Sequence, residues 1–334
     1  MSRIKIGQIG IGHEHASGIM LALRNLPDEY EVVGVVPEPE PGWPDARAYD
    51  GLPRMTETEL LATPGLSAVA VETNMPLLAG TALRCVERGL HLHVDKPGGE
   101  SMAPFATLVE ACRARGLALQ MGYMYRYNPA ICFCLRALRA GWLGEPFELH
   151  LVMSRWDNDQ YRRFLADYPG GAMYNFGSHL IDLAVAFLGQ PLGVHAFQRQ
   201  TRDDGLRDNG LAVLEYERCT ATIRASVAEV DGMKRRRLIL CGTRGTVEVY
   251  PLEQPWDRYA LDPLTVRLTL RDGNEAYAAG THHVDVGVMH GRYEAQLVEL
   301  ARVIRGELAN PWSYEHELLT QRVLLAAAGY QAWE

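Results

Sequence analysis

Ile4-Lys5-Ile6-Gly7-Gln8-Ile9-Gly10-Ile11-Gly12-His13 is the stretch on which the reading of this chain turns. Ile4–Ile9 carries the short apolar pattern of a strand, and a helical pattern follows over Ser17–Leu26. Two glycines at the junction permit a tight turn and let the backbone approach a pyrophosphate at the helix N-terminus. Gly10, Ile11, Gly12 and His13 are therefore the expected phosphate-binding turn. The third glycine of the usual fingerprint is absent, because position 15 is His15.

The strand–helix alternation continues beyond this turn. Strand patterns lie at Glu31–Val36, Ala68–Glu72, His91–Val94 and Ala118–Met121, with helical patterns at Leu77–Arg88 and Ala103–Arg115. Gly89 and Gly116 stand where helix C-caps belong. Alternation of this kind indicates βαβ units around a parallel sheet, an α/β Rossmann domain over residues 1–122. Glu38 follows the second strand, where a carboxylate accepts the adenosine ribose hydroxyls and repels a 2′-phosphate; NAD is favoured, with NADP the other option.

Beyond Gly122 the pattern changes. A helix is expected over Pro129–Ala140, a strand over Pro146–Met153, a polar stretch to Asp167, and a second helix from Gly170-Gly171 to about Leu188. From Val194 to Asp285 the chain reads as consecutive strands. Leu264, Val266, Leu268 and Leu270 alternate with Thr265, Arg267, Thr269 and Arg271, so one sheet face is packed and the other polar. Helices over Tyr293–Arg305 and Tyr314–Ala332 close the chain. Residues 123–334 are thus expected to be an α+β domain with an open, mostly antiparallel sheet, its last helices free to pack back on the first domain.

Two further motifs carry chemistry. Asp95-Lys96-Pro97-Gly98-Gly99 directly follows the strand His91–Val94, which puts a lysine beside the ligand crevice at the carboxyl end of a parallel strand. In the second helix Asn175, His179 and Asp182 are spaced i, i+4, i+7 and share a face opposite the apolar stripe Phe176, Leu180, Leu183 and Phe187. A histidine there can carry a proton near neutral pH.

At these residues the chain resembles the Gfo/Idh/MocA oxidoreductase family. The family's Glu-Lys-Pro is here Asp95-Lys96-Pro97, and its Asp-x-Gly-x-His-x-x-Asp is here Asn175-x-Gly177-x-His179-x-x-Asp182. The resemblance runs along the whole chain, through Gly122-Tyr123-Met124-Tyr125-Arg126-Tyr127-Asn128-Pro129. It implies an NAD(P)-dependent oxidoreductase acting on a sugar, cyclitol or glycoside. Lys96 would hydrogen-bond the reacting oxygen, and His179 would exchange the hydroxyl proton, with Asn175 where the family has an aspartate. Thr73 and Asn74 match the cofactor loop, and Asp95 the acid beside the nicotinamide half. Tyr125, Arg126, Trp156 and Asp182 are the expected substrate contacts, with Tyr123, Asp157 and Tyr161 as further candidates. Two other classes share the motifs: a glycosidase working by transient oxidation, and a non-catalytic nucleotide-sensing regulator.

Composition bounds the partners. The net charge is −8, so nucleic acid would need a local basic patch. The one dense run, Lys234-Arg235-Arg236-Arg237, reads as a solvated strand end. No apolar run is long enough to span a bilayer, and Met1–Ile6 lacks a signal-peptide core. The six cysteines are scattered, and Cys132-x-Cys134 has no matching pair, so free thiols in the cytoplasm are expected. His13 and His282-His283 show no metal-ligand spacing with carboxylates along the sequence, and no metal is expected. A homo-oligomer, dimer or tetramer, is expected, with the polar sheet face as one way to pair subunits.

Overall fold

The computed structural model describes residues 3–37, 45–255 and 258–334. Glu38 lies outside them. The chain divides into two compact units, one of residues 1–124 and 291–321, the other of residues 125–290 and 322–334.

In the first unit, strands β1 (Ile4–Ile9), β2 (Tyr30–Val36), β3 (Leu66–Val71), β4 (His91–Val94) and β5 (Leu119–Met121) form a parallel sheet of order β2-β1-β3-β4-β5. Helices α1 (Glu14–Arg24), α2 (Glu57–Leu61), α3 (Met75–Glu87) and α4 (Met102–Arg115) connect the strands. Such a sheet is covered on both faces, which is why Ala68–Val71 is apolar throughout and wholly buried. The order reverses between β1 and β3, and in open sheets ligands bind outside the carboxyl ends at that switch point. Gly10 sits there with φ +95°, and a Cβ would come within 2.3 Å of the Glu72 backbone. Gly10→Ala is therefore expected to destabilise the first unit by at least about 1–3 kcal/mol, read as a lowered denaturation midpoint. An unchanged midpoint would show that the turn can relax.

The second unit is built on an eight-stranded sheet of order β13-β12-β11-β10-β6-β9-β8-β7. Its strands are β6 (Pro146–Ser154), β7 (Gly193–Arg199), β8 (Asn209–Glu215), β9 (Thr220–Ser226), β10 (Arg237–Gly242), β11 (Gly245–Val249), β12 (Thr265–Leu270) and β13 (Gly280–Asp285). Neighbours are antiparallel except β6 and β9. Leu149, Leu151, Ala221, Ile223, Leu238 and Leu240 are buried on one face, where helices α5 (Pro129–Arg139) and α7 (Ser178–Leu188) pack.

Two expectations, for the polar stretch before Asp167 and for the basic run, need correction. The polar stretch before Asp167 contains helix α6 (Asp159–Ala166), capped by Asn158; its few apolar residues hid it, and the buried Arg162 is paired with Asp204 and Asp208. The helix expected from Gly170-Gly171 to about Leu188 is present, helical from Gly171 onward, with a π-helical turn at Met173–Gly177 before α7 starts at Ser178. Ser178–Val185 of α7 is buried throughout, His179 and Asp182 included. In the basic run, Arg236 is buried at 2% exposure rather than solvated.

The closing helices are α8 (Glu294–Ile304) and α9 (Tyr314–Ala327). Leu297 and Ala301 of α8 join Ile4, Ile6, Ile19, Leu23 and Ala70 in one apolar core, and the Tyr30 hydroxyl donates to the Leu297 carbonyl at 2.6 Å. Residues 291–321, which hold α8, are grouped with the first unit. No described helix is long and apolar enough to cross a membrane.

Candidate active site

The carboxyl ends of β1, β3, β4 and β5 bring one polar group together. Gly10 leaves β1, Glu72 and Thr73 leave β3, Asp95 and Lys96 leave β4, and Gly122 leaves β5. Two glycines keep the backbones close: besides the Gly10 approach to Glu72, a Cβ on Gly122 would lie 3.3 Å from Asp95 Oδ1. Thr73 Oγ1 is buried without a hydrogen-bond partner, a cost that a ligand can remove. Asn74 stands at the N-cap of α3 and His13 at that of α1, where the His13 side chain accepts from the Ala16 amide. Both helix N-termini favour anions.

His15, read as a missing glycine, has a role of its own here. Its Nδ1 lies 3.3 Å from Asp95 Oδ1, and His13 Nε2 lies 3.9 Å from Asp95 Oδ2. Burial lowers the His15 pKa and Asp95 opposes the shift; the 31% of the side chain left exposed moderates both effects. Burial alone would raise the Asp95 pKa, but His15, His13 and Lys96 hold it below the usual carboxylate range. The expectation that His13 has no carboxylate near it was drawn from spacing along the chain. Through space it is corrected, since His13, His15 and Asp95 place their donor atoms within 4.8 Å of one another.

Lys96 is buried at 2% exposure. Burial pulls its pKa down to about 8, with Asp95 and Glu72 favouring the charged form and Arg292 opposing it. Glu72, which pairs with His93 at 3.5 Å, and Arg292 were not foreseen. Glu72 looked like the last residue of a strand, and no local signal marks Arg292, which enters from almost two hundred residues away.

In the second unit, His179 is buried at the start of α7 with the Tyr125 ring edge-on to its imidazole, centroids 5.5 Å apart. The Tyr125 hydroxyl donates to Glu253, which also accepts from Arg236 and from the Tyr259 hydroxyl. Asn175 lies in the π-helical turn, and its carbonyl accepts from the Ser178 hydroxyl at 2.9 Å. Arg126 and Asp182 form a buried pair at 2.6 Å, each occupied by the other. Tyr123 is buried, whereas Trp156 is 52% exposed. Asp157 is buried against Arg155, and burial pushes its pKa up to about 6. Arg155 lies over both Tyr161 and Phe176, at 4.9 and 5.5 Å. Glu253, Arg236, Tyr259 and Arg155 were missed, because each is recruited through contacts distant in sequence.

Residues 134–248 match the model of the GFO/IDH/MocA C-terminal domain. That stretch of the second unit is similar to the C-terminal domain of the GFO/IDH/MocA proteins. Among relatives, it is 31% identical over 176 residues to D-xylose 1-dehydrogenase (NADP(+)) 2 of Haloferax volcanii, covering 50% of this chain and 52% of that one. The chain spans little more than half the length of the first curated relatives it matches. The same fold recurs in solved structures. The probable oxidoreductase yhhX superposes with a TM-score of 0.80 at 21% identity, covering 98% and 97% of the two chains. The WlbA dehydrogenase from Bordetella pertussis, in complex with NADH and UDP-GlcNAcA, superposes with a TM-score of 0.77 at 18% identity, covering 98% and 95%.

Proposed function

We propose that this chain is an NAD(P)-dependent oxidoreductase of the Gfo/Idh/MocA type that interconverts a secondary alcohol and a ketone on a sugar-like polyol. The observation that carries the reading is the crevice at the β1/β3 switch point, where a side-chain-free Gly10 turn, the unpartnered Thr73 hydroxyl and the buried Lys96 meet. These residues fit a dinucleotide: a backbone able to approach a pyrophosphate, helix N-termini to receive it, and a free donor within the crevice. D-xylose dehydrogenase and the NADH complex of WlbA support both the cofactor class and the substrate class.

A bound nicotinamide would supply the hydride acceptor or donor. Lys96, protonated below about pH 8, would donate a hydrogen bond to the reacting oxygen and stabilise charge as it develops. His179 would hold or release the hydroxyl proton, its ring kept in place by the Tyr125 edge. Asp95 keeps a negative charge beside Lys96 and so favours the ammonium form.

Incubating the protein with a panel of sugars, sugar acids and cyclitols, with NAD or NADP, is expected to accumulate reduced cofactor with at least one of them. Turnover that needs only catalytic NAD, or cofactor binding without any turnover, would overturn the reading. With the active substrate, kcat/KM should fall as pH rises through about 8, because Lys96 loses the proton it donates. Lys96→Arg should abolish that limb, and a limb that survives in Lys96→Arg belongs to another group.

A further inference from the structure

We propose that His13, His15 and Asp95 form a three-ligand site for a divalent transition metal, with Zn2+ as the representative ion, and that this metal competes with the dinucleotide for the β1–α1 turn. Two imidazoles and one carboxylate are a ligand set suited to zinc and its neighbours, and three protein ligands leave a fourth position open. Bonds of about 2.0–2.2 Å to a tetrahedral ion require donor–donor separations of about 3.3–3.6 Å. His15 Nδ1 and Asp95 Oδ1 already stand 3.3 Å apart, and His13 Nε2 and Asp95 Oδ2 stand 3.9 Å apart. All three donors fit within 4.8 Å, so closing on an ion needs side-chain adjustments of about an ångström rather than a rearranged backbone. The two rings already meet edge to face, centroids 5.7 Å apart.

The remaining surroundings define both cost and consequence. Gly122 leaves the Asp95 carboxylate uncrowded, since any larger residue would put a Cβ 3.3 Å from Oδ1. Lys96 and Arg292 oppose a dication, whereas Asp95 and Glu72 favour it. His13 Nδ1 now accepts the Ala16 amide at 3.3 Å. Coordination through Nε2 moves the imidazole proton to Nδ1 and gives up that cap. His15 likewise moves its proton from Nδ1 to Nε2, so two neutral imidazoles bind with no net proton release. The metal would therefore loosen the first turn of α1, where the proposed pyrophosphate site also lies. The competition rests on the proposed function; the metal site does not.

The test titrates Zn2+ into chelator-stripped protein against a chromophoric chelator. One equivalent should bind per chain, and His13→Asn and His15→Asn should each weaken that equivalent by more than about 100-fold, beyond the 10–100-fold typical of losing a residue outside the ligand set. His282→Asn, on an exposed strand, should leave it unchanged. Circular dichroism establishes that each variant is folded. Absence of a one-to-one site, or one that survives both His13→Asn and His15→Asn, overturns the metal site. In a second arm, Zn2+ should raise the apparent Kd of NADH at least tenfold in the unaltered protein and leave it unchanged in His15→Asn. NADH affinity indifferent to bound Zn2+ overturns the competition. Zn2+ binding in a protein that binds no NADH leaves the metal site standing and removes the oxidoreductase reading.

Discussion

Lys96→Ala is expected to lower kcat by about 10²–10³ and to leave NAD affinity within a few fold, because losing one preorganised donor to a developing oxyanion costs roughly 2.7–4 kcal/mol. The side chain is 2% exposed, so water cannot replace the missing ammonium easily. The substitution also removes a cation that favours the Asp95 carboxylate. The Asp95 pKa should rise as a result, although His15 and His13 remain beside it. Single-turnover rates with saturating cofactor separate this role from cofactor anchoring. Collapse of NAD binding with kcat preserved would make Lys96 an anchor and refute the donor role.

Asp182→Ala is expected to destabilise the second unit by about 3–5 kcal/mol, the usual penalty for leaving one member of a buried ion pair unpaired. Arg126 and Asp182 side chains are 0% and 1% exposed and are joined by three hydrogen bonds. Removing the carboxylate leaves the buried guanidinium without its ion-pair partner. Replacing both together, as Arg126→Met with Asp182→Leu, should recover much of the loss, since a packed apolar pair is often no worse than a buried salt bridge. Urea denaturation of the unaltered protein and the two variants reads this directly. A loss under about 1 kcal/mol for Asp182→Ala would mean the pair is hydrated in solution and free to contact substrate, as the sequence had suggested.

The contrast at Asp182 shows where reading a sequence reaches its limit. Its spacing from His179 placed it on the same helix face, and the structure keeps both on α7. What the spacing could not show is that Arg126, fifty-six residues earlier, closes on its carboxylate. The same holds for Asp95, placed at a strand end by the pattern of β4 and then flanked by His13 and His15 from the N-cap and first turn of α1. Glu253 is the strongest case: nothing around it signals that Tyr125, Arg236 and Tyr259 all converge on its carboxylate.

Local order was legible because it depends on neighbours in sequence. Apolar runs of strand length, helical periodicity and glycine caps placed β1 at Ile4–Ile9 and β4 at His91–Val94, and the period-2 alternation near Leu264–Leu270 revealed a sheet with one dry face. The amphipathic sign failed at α6, where burial is satisfied by a paired arginine rather than by apolar side chains. It placed the helix through His179, but the π-helical turn before that residue leaves no mark in the hydrophobic pattern. The sequence by itself determined the class of each domain, the glycine turn, the lysine motif and the histidine helix. Only the tertiary structure decided which charges neutralise one another, because ion pairing and burial depend on distances in space that sequence spacing does not encode.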